Sequence, residues 1–310
     1  MSCLKALPTV ILIGPFLLVR MLRSQALVPS LRLLMVVVGA GLFAQLFGNV
    51  VFQWALGVVG IALTVPLTLG TMIASSALLG RAWLGEEVTL RTALALLVLV
   101  AAICVLSFGA PEANRAIAAT SAATASGGTL LLVLGVFAGC FAGFSYCLLG
   151  VAIRYTSARG LPLSTILVST TLTGFLVLGA LSIARLGLPA LRSTAMPDLA
   201  VMLAAGVFNA VAYLALAKAL HLTGVVFVNA LNASQTAMAA LVGIAFFHEP
   251  ATVPLLAGIG LTSWGLLMMR RNHVASEKAR RDADTRAAAS LDDEPLHEIS
   301  TVASDVTHPG

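Results

Sequence analysis

The chain has 310 residues, of which 59% are hydrophobic and only 10% are charged, and its mean hydropathy is +1.00. Soluble domains carry about 25% charged residues and about 45–50% apolar ones. A soluble globular fold is excluded, because its core could not bury this much apolar surface. The formal net charge of +5 does not indicate a nucleic-acid binder, since most Lys and Arg residues separate apolar runs instead of forming one basic face.

Nine apolar segments are long enough, or nearly long enough, to cross a bilayer, which requires about 20 mostly apolar residues. In chain order they are Leu7–Met21, Leu33–Leu56, Val59–Leu84, Leu90–Phe108, Leu130–Val151, Leu163–Leu186, Leu199–Ala219, Val225–Phe247 and Val253–Met269. In and just after the first segment, Pro15, Arg20 and Arg23 lie where a cleaved signal peptide would need small residues, so we expect a retained helix. The sequence therefore predicts an all-α polytopic membrane protein.

Two segments are too polar to cross a membrane. Gly109–Gly128 is rich in Ala, Ser, Thr and Gly, and we interpret it as an external linker. Asn272–Gly310 contains most of the Asp and Glu residues of the chain, and its composition is typical of a disordered tail.

The Lys and Arg residues predict the orientation of the chain, because short cytoplasmic loops are enriched in both. The cytoplasmic set comprises Arg20, Arg23, Arg32, Arg81, Arg91, Arg154, Arg159, Lys218, Arg270, Arg271, Lys278, Arg280 and Arg281. The opposite side then has only Lys5, Arg115, Arg185 and Arg192. With nine spans, the N-terminus is outside and the C-terminus is cytoplasmic.

The two halves of the chain resemble each other. When Gly39–Ser107 is placed against Ala204–Met269, Gly41 meets Gly206, Phe43 meets Phe208, and Gly60 meets Gly224. Each half then has a helix with scattered polar residues, followed by an acidic turn at Glu86 in the first half and at Glu249 in the second. The predicted topology puts these turns on opposite sides, so the repeats are inverted, as in many secondary transporters.

Three motifs carry a resemblance to a known family. They are the pattern GxxGxAxxxPLT at Gly57–Thr68, the turn at Leu84–Glu86, and the run His221–Pro250. In their order and spacing they resemble the EamA family of the drug/metabolite transporter superfamily, and the similarity covers most of residues 31–269.

This resemblance implies two five-helix repeats, ten spans, and cytoplasmic termini. The first apolar segment here resembles the second helix of the family, so we expect that the first helix is missing, through a late start codon or a real shortening. The expected pattern is then two inverted repeats of a helical bundle with 4+5 spans. The domains are a first repeat at 1–108, the linker at 109–128, a second repeat at 129–269, and a cytoplasmic tail at 270–310.

Polar side chains at membrane depth are functional candidates, because burying them in lipid is costly. Gln45, Asn49 and Gln53 recur every four residues on one helical face, and Pro66 frees a backbone carbonyl among three threonines. The candidates for lining a substrate cavity are Gln45, Asn49, Gln53, Thr64, Pro66, Thr68, Tyr146, Asn209, Tyr213, Asn229, Asn232 and Gln235. The competing interpretation is that these groups only join helices through hydrogen bonds.

Two further features have structural interpretations. Gly135, Gly139 and Gly143 form a doubled GxxxG stripe, for which we expect packing within the chain in preference to a homodimer contact. Glu86, Glu87 and Glu249 lie at helix ends and are gate or capping candidates, but solvation at the membrane interface near Arg81 or Arg91 is the favoured interpretation.

We expect a small-molecule or metabolite transporter of the inner (plasma) membrane that works by alternating access. Its partners are membrane lipids and a small-molecule substrate, with a possible homodimer and no nucleic acid, cofactor or metal. The absence of a clear acidic or His residue at a span centre gives no support to proton coupling. The alternatives are an integral membrane enzyme, for which no catalytic motif is found, and a truncated remnant that does not transport.

Overall fold

The computed structural model describes residue 11 and residues 30–109, 129–192, 196–247 and 251–270. These residues form helices and no strand. The helices are α1 (Leu31–Val59), α2 (Ile61–Leu84), α3 (Leu90–Gly109), α4 (Thr129–Ala158), α5 (Leu163–Arg192), α6 (Met196–Leu222), α7 (Val225–Asn232), α8 (Ser234–Phe247) and α9 (Val253–Arg270).

Eight of the predicted membrane spans are confirmed as helices that are long and apolar enough to cross a bilayer, with α7 and α8 together forming one of them. The all-α polytopic fold class is therefore confirmed. The first predicted span at Leu7–Met21 lies outside the described residues except for residue 11, as do nearly all of the predicted linker and tail.

Helix α1 is not uniform, because a π-helical turn at Ala44–Val50 separates its α-helical parts Leu31–Phe43 and Val51–Val59. Helix α2 follows directly after Gly60, whose φ of 76° is costly for a residue with a side chain. Helix α2 contains Pro66 and ends at Gly85, which has left-handed backbone angles. The Glu86 N–H then donates to the Gly80 carbonyl oxygen at 2.9 Å, so the chain turns back over the end of α2.

The glycine stripe of α4 packs within the chain, as expected, with Gly139 and Gly143 against α2 and Gly135 against the end of α1. A Cβ atom on Gly143 would overlap the backbone carbonyl oxygen of Thr68, and one on Gly135 would lie 2.7 Å from Val59. The Thr68 hydroxyl donates to the Gly139 carbonyl oxygen at 3.0 Å. Small residues therefore allow the two backbones to approach closely.

At one end of the bundle, α2, α4 and α6 end and α1, α3, α5 and α7 begin; we call it the Glu86 end. Arg154 near the end of α4 donates to the carbonyl oxygens of Leu220 and His221 at the end of α6. A buried apolar group, which we call the closing core, fills the bundle near this end. It consists of Val37, Met72, Leu79, Cys147, Val151, Ile153, Leu161, Ile166, Leu167, Ala217, Leu220, Val225 and Val228.

The aligned glycines of the predicted repeats lie at opposite ends of the bundle. Helix α2 begins one residue after Gly60, and α7 begins one residue after Gly224. Gly224 lies at the Glu86 end, whereas Gly60 lies at the far end of α1. Inverted repeats require this arrangement, although the domain boundaries themselves stay a prediction.

Candidate functional site

Two amide side chains lie in the π-helical turn, near the middle of the span Leu31–Val59. The Asn49 amide nitrogen donates to the Gln45 side-chain oxygen. The Tyr146 hydroxyl of α4 donates to Asn49 Oδ1 at 2.9 Å. Single π-helical turns inside α-helices occur frequently at functional sites, because the wider turn changes the direction of its side chains.

Helices α5 and α6 extend this polar group. Gly174 of α5 faces the Gln45 amide so closely that a Cβ atom there would lie 2.7 Å from Gln45 Nε2. One turn earlier, Thr170 accepts a hydrogen bond of 2.7 Å from the Tyr213 hydroxyl of α6. We call Gln45, Asn49, Tyr146, Thr170 and Tyr213 the polar cluster. Its hydrogen bonds link α1 to α4 and α5 to α6, and the close fit of Gln45 on Gly174 brings the two pairs of helices together.

Aromatic and small residues surround the Tyr146 ring. A Cβ atom on Gly48 would lie 2.9 Å from Tyr146 Cε1, so this glycine leaves the space that the ring occupies. Phe52 meets the ring edge-on with centroids 6.4 Å apart. An apolar wall beside hydrogen-bonding groups is the usual construction of a small-molecule site.

The polar cluster has hydrogen-bond donors left over. The Gln45 side-chain oxygen accepts from Asn49, and Gln45 Nε2 lies against Gly174, which offers no side-chain acceptor. Asn49 Nδ2 has a second hydrogen that is not needed for its contact with Gln45. The cluster itself contains no ionisable acid or base other than its two tyrosines, so it is suited to hydrogen bonding with a ligand's acceptor atoms.

The predicted threonines of α2 do not join the polar cluster. The Thr64 hydroxyl donates to the Gly60 carbonyl oxygen at 2.7 Å, and that of Thr68 donates to α4. Both side chains are buried, and Pro66 beside them is half-buried. Their described contacts are those of helix packing.

The other predicted residues are spread over the bundle. Gln53, Asn209 and Gln235 are exposed on the described surface, and Asn232 is half-buried. Asn229 of α7 is only 5% exposed, and its Nδ2 has no hydrogen-bond partner among the described residues. Asn229 is therefore a second polar position within the membrane, separate from the hydrogen bonds of the polar cluster.

Sequence reasoning missed Thr170, although the run Ser169–Thr173 on α5 is rich in hydroxyl groups. Most of these hydroxyls donate to backbone carbonyls one turn earlier, as Thr170 does to Ile166 at 2.8 Å. What distinguishes Thr170 is its contact with Tyr213, whose sequence separation of 43 residues gives no local signal.

Interfacial solvation, the favoured interpretation of Glu86, is wrong. Its carboxylate accepts hydrogen bonds from the backbone N–H groups of Val225 at 2.7 Å and Val226 at 3.1 Å. These groups begin α7, and Gly224 before them has no side chain with which to cap the helix. Glu86 therefore caps a helix that lies 139 residues further along the chain.

No group of three or more His, Cys, Asp or Glu residues within the described ranges is arranged to hold a metal ion. The polar cluster is thus the main candidate for chemistry inside the membrane, and it is a binding arrangement of amides and hydroxyls. No nucleophile paired with a base is among its members.

Residues 133–271 match the model of the EamA-like transporter family, part of the drug/metabolite transporter superfamily. The resemblance found in the sequence is confirmed over this segment. No curated protein matches the chain with significant sequence similarity.

A protein of known crystal structure resembles the chain with a TM-score of 0.65 and 17% sequence identity. The likeness covers 90% of this chain and 88% of that one. At this identity it shows that the helical fold is shared. The chain is a multi-pass membrane protein whose second half is EamA-like.

Proposed function

We propose, on the premise that residues 133–271 are EamA-like, that the chain transports a small metabolite across the inner (plasma) membrane. The observation that carries the proposal is the polar cluster. Amide and hydroxyl groups link α1 to α4 and α5 to α6 inside their spans, where lipid would make unpaired polar groups costly, and Gln45 lies against Gly174 between the two pairs. A substrate would offer acceptor atoms to the Gln45 and Asn49 amides.

The polar cluster joins the two predicted repeats, because α1 belongs to the first half and α4, α5 and α6 belong to the second. Secondary transporters with inverted repeats bind substrate near the midplane at such an interface. Rocking of the two halves would expose the cluster first to one side and then to the other. The C-terminus lies on the cytoplasmic side in this proposal.

The test is a solute screen with the purified protein in proteoliposomes. Amino acids, related metabolites and amphiphilic drug-like molecules are offered as mixtures, and uptake is read by mass spectrometry against empty liposomes. The proposal expects at least one solute to accumulate. If the folded protein moves none of them, the transporter proposal is wrong, and a non-transporting remnant is the better description.

The position of the site is tested with matched amide variants. Asn49→Ala removes a donor and an acceptor from the polar cluster, so we expect uptake at low substrate concentration to fall about tenfold or more. Gln235→Ala removes an exposed amide from α8 and is expected to leave uptake unchanged. The reverse pattern would show that the substrate binds elsewhere.

A further inference from the structure

The structure is closed at the Glu86 end. The closing core lies between the polar cluster and the loops at this end, and its members Cys147 and Val225 are completely buried. A substrate in the polar cluster could not leave in this direction without separation of the closing core.

Two charged side chains contact the connection between α6 and α7 at this end, one on each side of it. Arg154 donates to the last carbonyl oxygens of α6, and Glu86 accepts from the first N–H groups of α7. A cation at a helix C-terminus and an anion at a helix N-terminus are both stabilising, because each faces the opposite partial charge of the helix end.

The fit of Glu86 against α7 depends on two glycines. A Cβ atom on Gly224 would lie 2.8 Å from Glu86 Oε2, and one on Gly80 would lie 3.0 Å from the Val226 side chain. The carboxylate therefore reaches the α7 backbone because neither half of the chain has a side chain in the way. The contact joins the acidic turn of the first half to the first turn of α7 in the second half.

We propose that the Glu86 carboxylate is a latch that keeps this end of the transport path closed. Opening requires α7 to move away from the end of α2, and this movement breaks both hydrogen bonds to Val225 and Val226. The proposal rests on the proposed transport function for its purpose, but the closing of the Glu86 end can be measured without any substrate.

Cys147 is a natural reporter for this opening, because it lies in the closing core next to Tyr146. In a protein with Cys3, Cys104 and Cys140 replaced by Ala, a water-soluble methanethiosulfonate can react only at Cys147. The labelling rate in lipid nanodiscs reports how often water reaches the closing core. Hydrogen–deuterium exchange of the segment 224–228 reports the hydrogen bonds of Glu86 itself.

Glu86→Gln keeps the size of the side chain but removes its charge and one of its two acceptor oxygens. We expect Cys147 labelling to be about tenfold faster and exchange of the segment 224–228 to rise, because charge-assisted hydrogen bonds are lost. Glu87→Gln is the matched control, since Glu87 is exposed and forms no hydrogen bond among the described residues. It should change neither rate.

Three results would overturn the latch. Faster amide exchange with unchanged Cys147 labelling would show that Glu86 caps α7 without keeping this end closed. No change in either rate would show that the contact does not hold the end closed. An equal effect of Glu87→Gln would show a general effect of charge.

If the Glu86→Gln variant does not fold, the Glu86→Asp variant tests the latch instead. Its carboxylate is one methylene too short to keep both hydrogen bonds to α7. Labelling above the wild-type rate supports the latch, and an unchanged rate contradicts it. If the wild-type protein moves no solute while Cys147 still responds to Glu86, the transport proposal fails and the latch stands.

Discussion

At the scale of single residues, the hydroxyl of Tyr146 determines how the amides of α1 are arranged. It donates to Asn49 Oδ1 at 2.9 Å and thereby directs the Asn49 amide nitrogen towards Gln45. The ring has a separate role, because it packs on Gly48 and meets Phe52. One substitution can separate the two roles.

Tyr146→Phe keeps the ring and removes the hydroxyl. We expect the KM for the transported solute to rise about three- to tenfold, because one neutral hydrogen bond that positions Asn49 is lost. The melting temperature should change little. The measurement is concentration-dependent uptake in proteoliposomes.

Tyr155→Phe is the matched control for this substitution. Tyr155 lies near the Glu86 end, where the Arg159 guanidinium stacks on its ring at 3.6 Å, away from the polar cluster. Its hydroxyl should be dispensable for uptake. A KM that responds equally to both substitutions would contradict a specific role of the Tyr146 hydroxyl.

At the scale of elements, the close contact of α2 and α4 is the clearest determinant of stability. Gly143→Ala places a methyl group against the backbone of α2, which cannot move aside as a flexible side chain could. We expect the free energy of unfolding to fall by about 1–3 kcal/mol. Reversible unfolding in mixed micelles measures it.

Gly179→Ala on α5 is the control, because a Cβ atom there meets nothing within 4 Å. Alanine has a higher helix propensity than glycine, so stability should stay the same or rise by up to about 1 kcal/mol. Equal losses at both positions would contradict the assignment of the stripe to the α2–α4 contact.

The elements themselves were predictable from the sequence, since length and apolar composition decide what can span a bilayer. Eight predicted spans agree with helices, and Gly60 and Gly224 precede helix starts. The π-helical turn was not predictable, because its residues have the composition of an ordinary span. The four-residue spacing of Gln45 and Asn49 nevertheless identified their shared face.

The hydrogen-bond partners of individual polar side chains were less accessible to sequence reasoning. Threonines such as Thr64 and Thr68 are suited to lining a polar cavity, but here their hydroxyls donate to nearby backbone carbonyl oxygens. Glu86 had the position of a solvated interfacial acid, but α7 begins beside it. In both cases the deciding partner is a backbone group, which no residue type reveals.

At the scale of the whole molecule, the loops rich in Arg and Lys should face one side of the membrane. The Glu86 and Arg154 contacts bring the ends of α2, α4 and α6 to the same end of the bundle. Four spans separate the turn at Glu86 from the connection at Gly224, which is an even number, so the topology agrees with this geometry. One more span separates Gly224 from Ala251, which must then lie on the opposite side.

Single cysteines at Glu87, Arg159 and Ala251, all exposed, test this arrangement in a background without the native cysteines. The positive-inside rule puts the Glu86 end in the cytoplasm. An impermeant thiol reagent should therefore label position 251 in intact cells and positions 87 and 159 only in inside-out vesicles. Labelling of 87 and 251 from the same side would contradict the eight described spans. Reaction of 87 and 159 from outside, with 251 protected, would retain the spans and reverse the orientation, which would place the proposed latch at the outer mouth of the transport path.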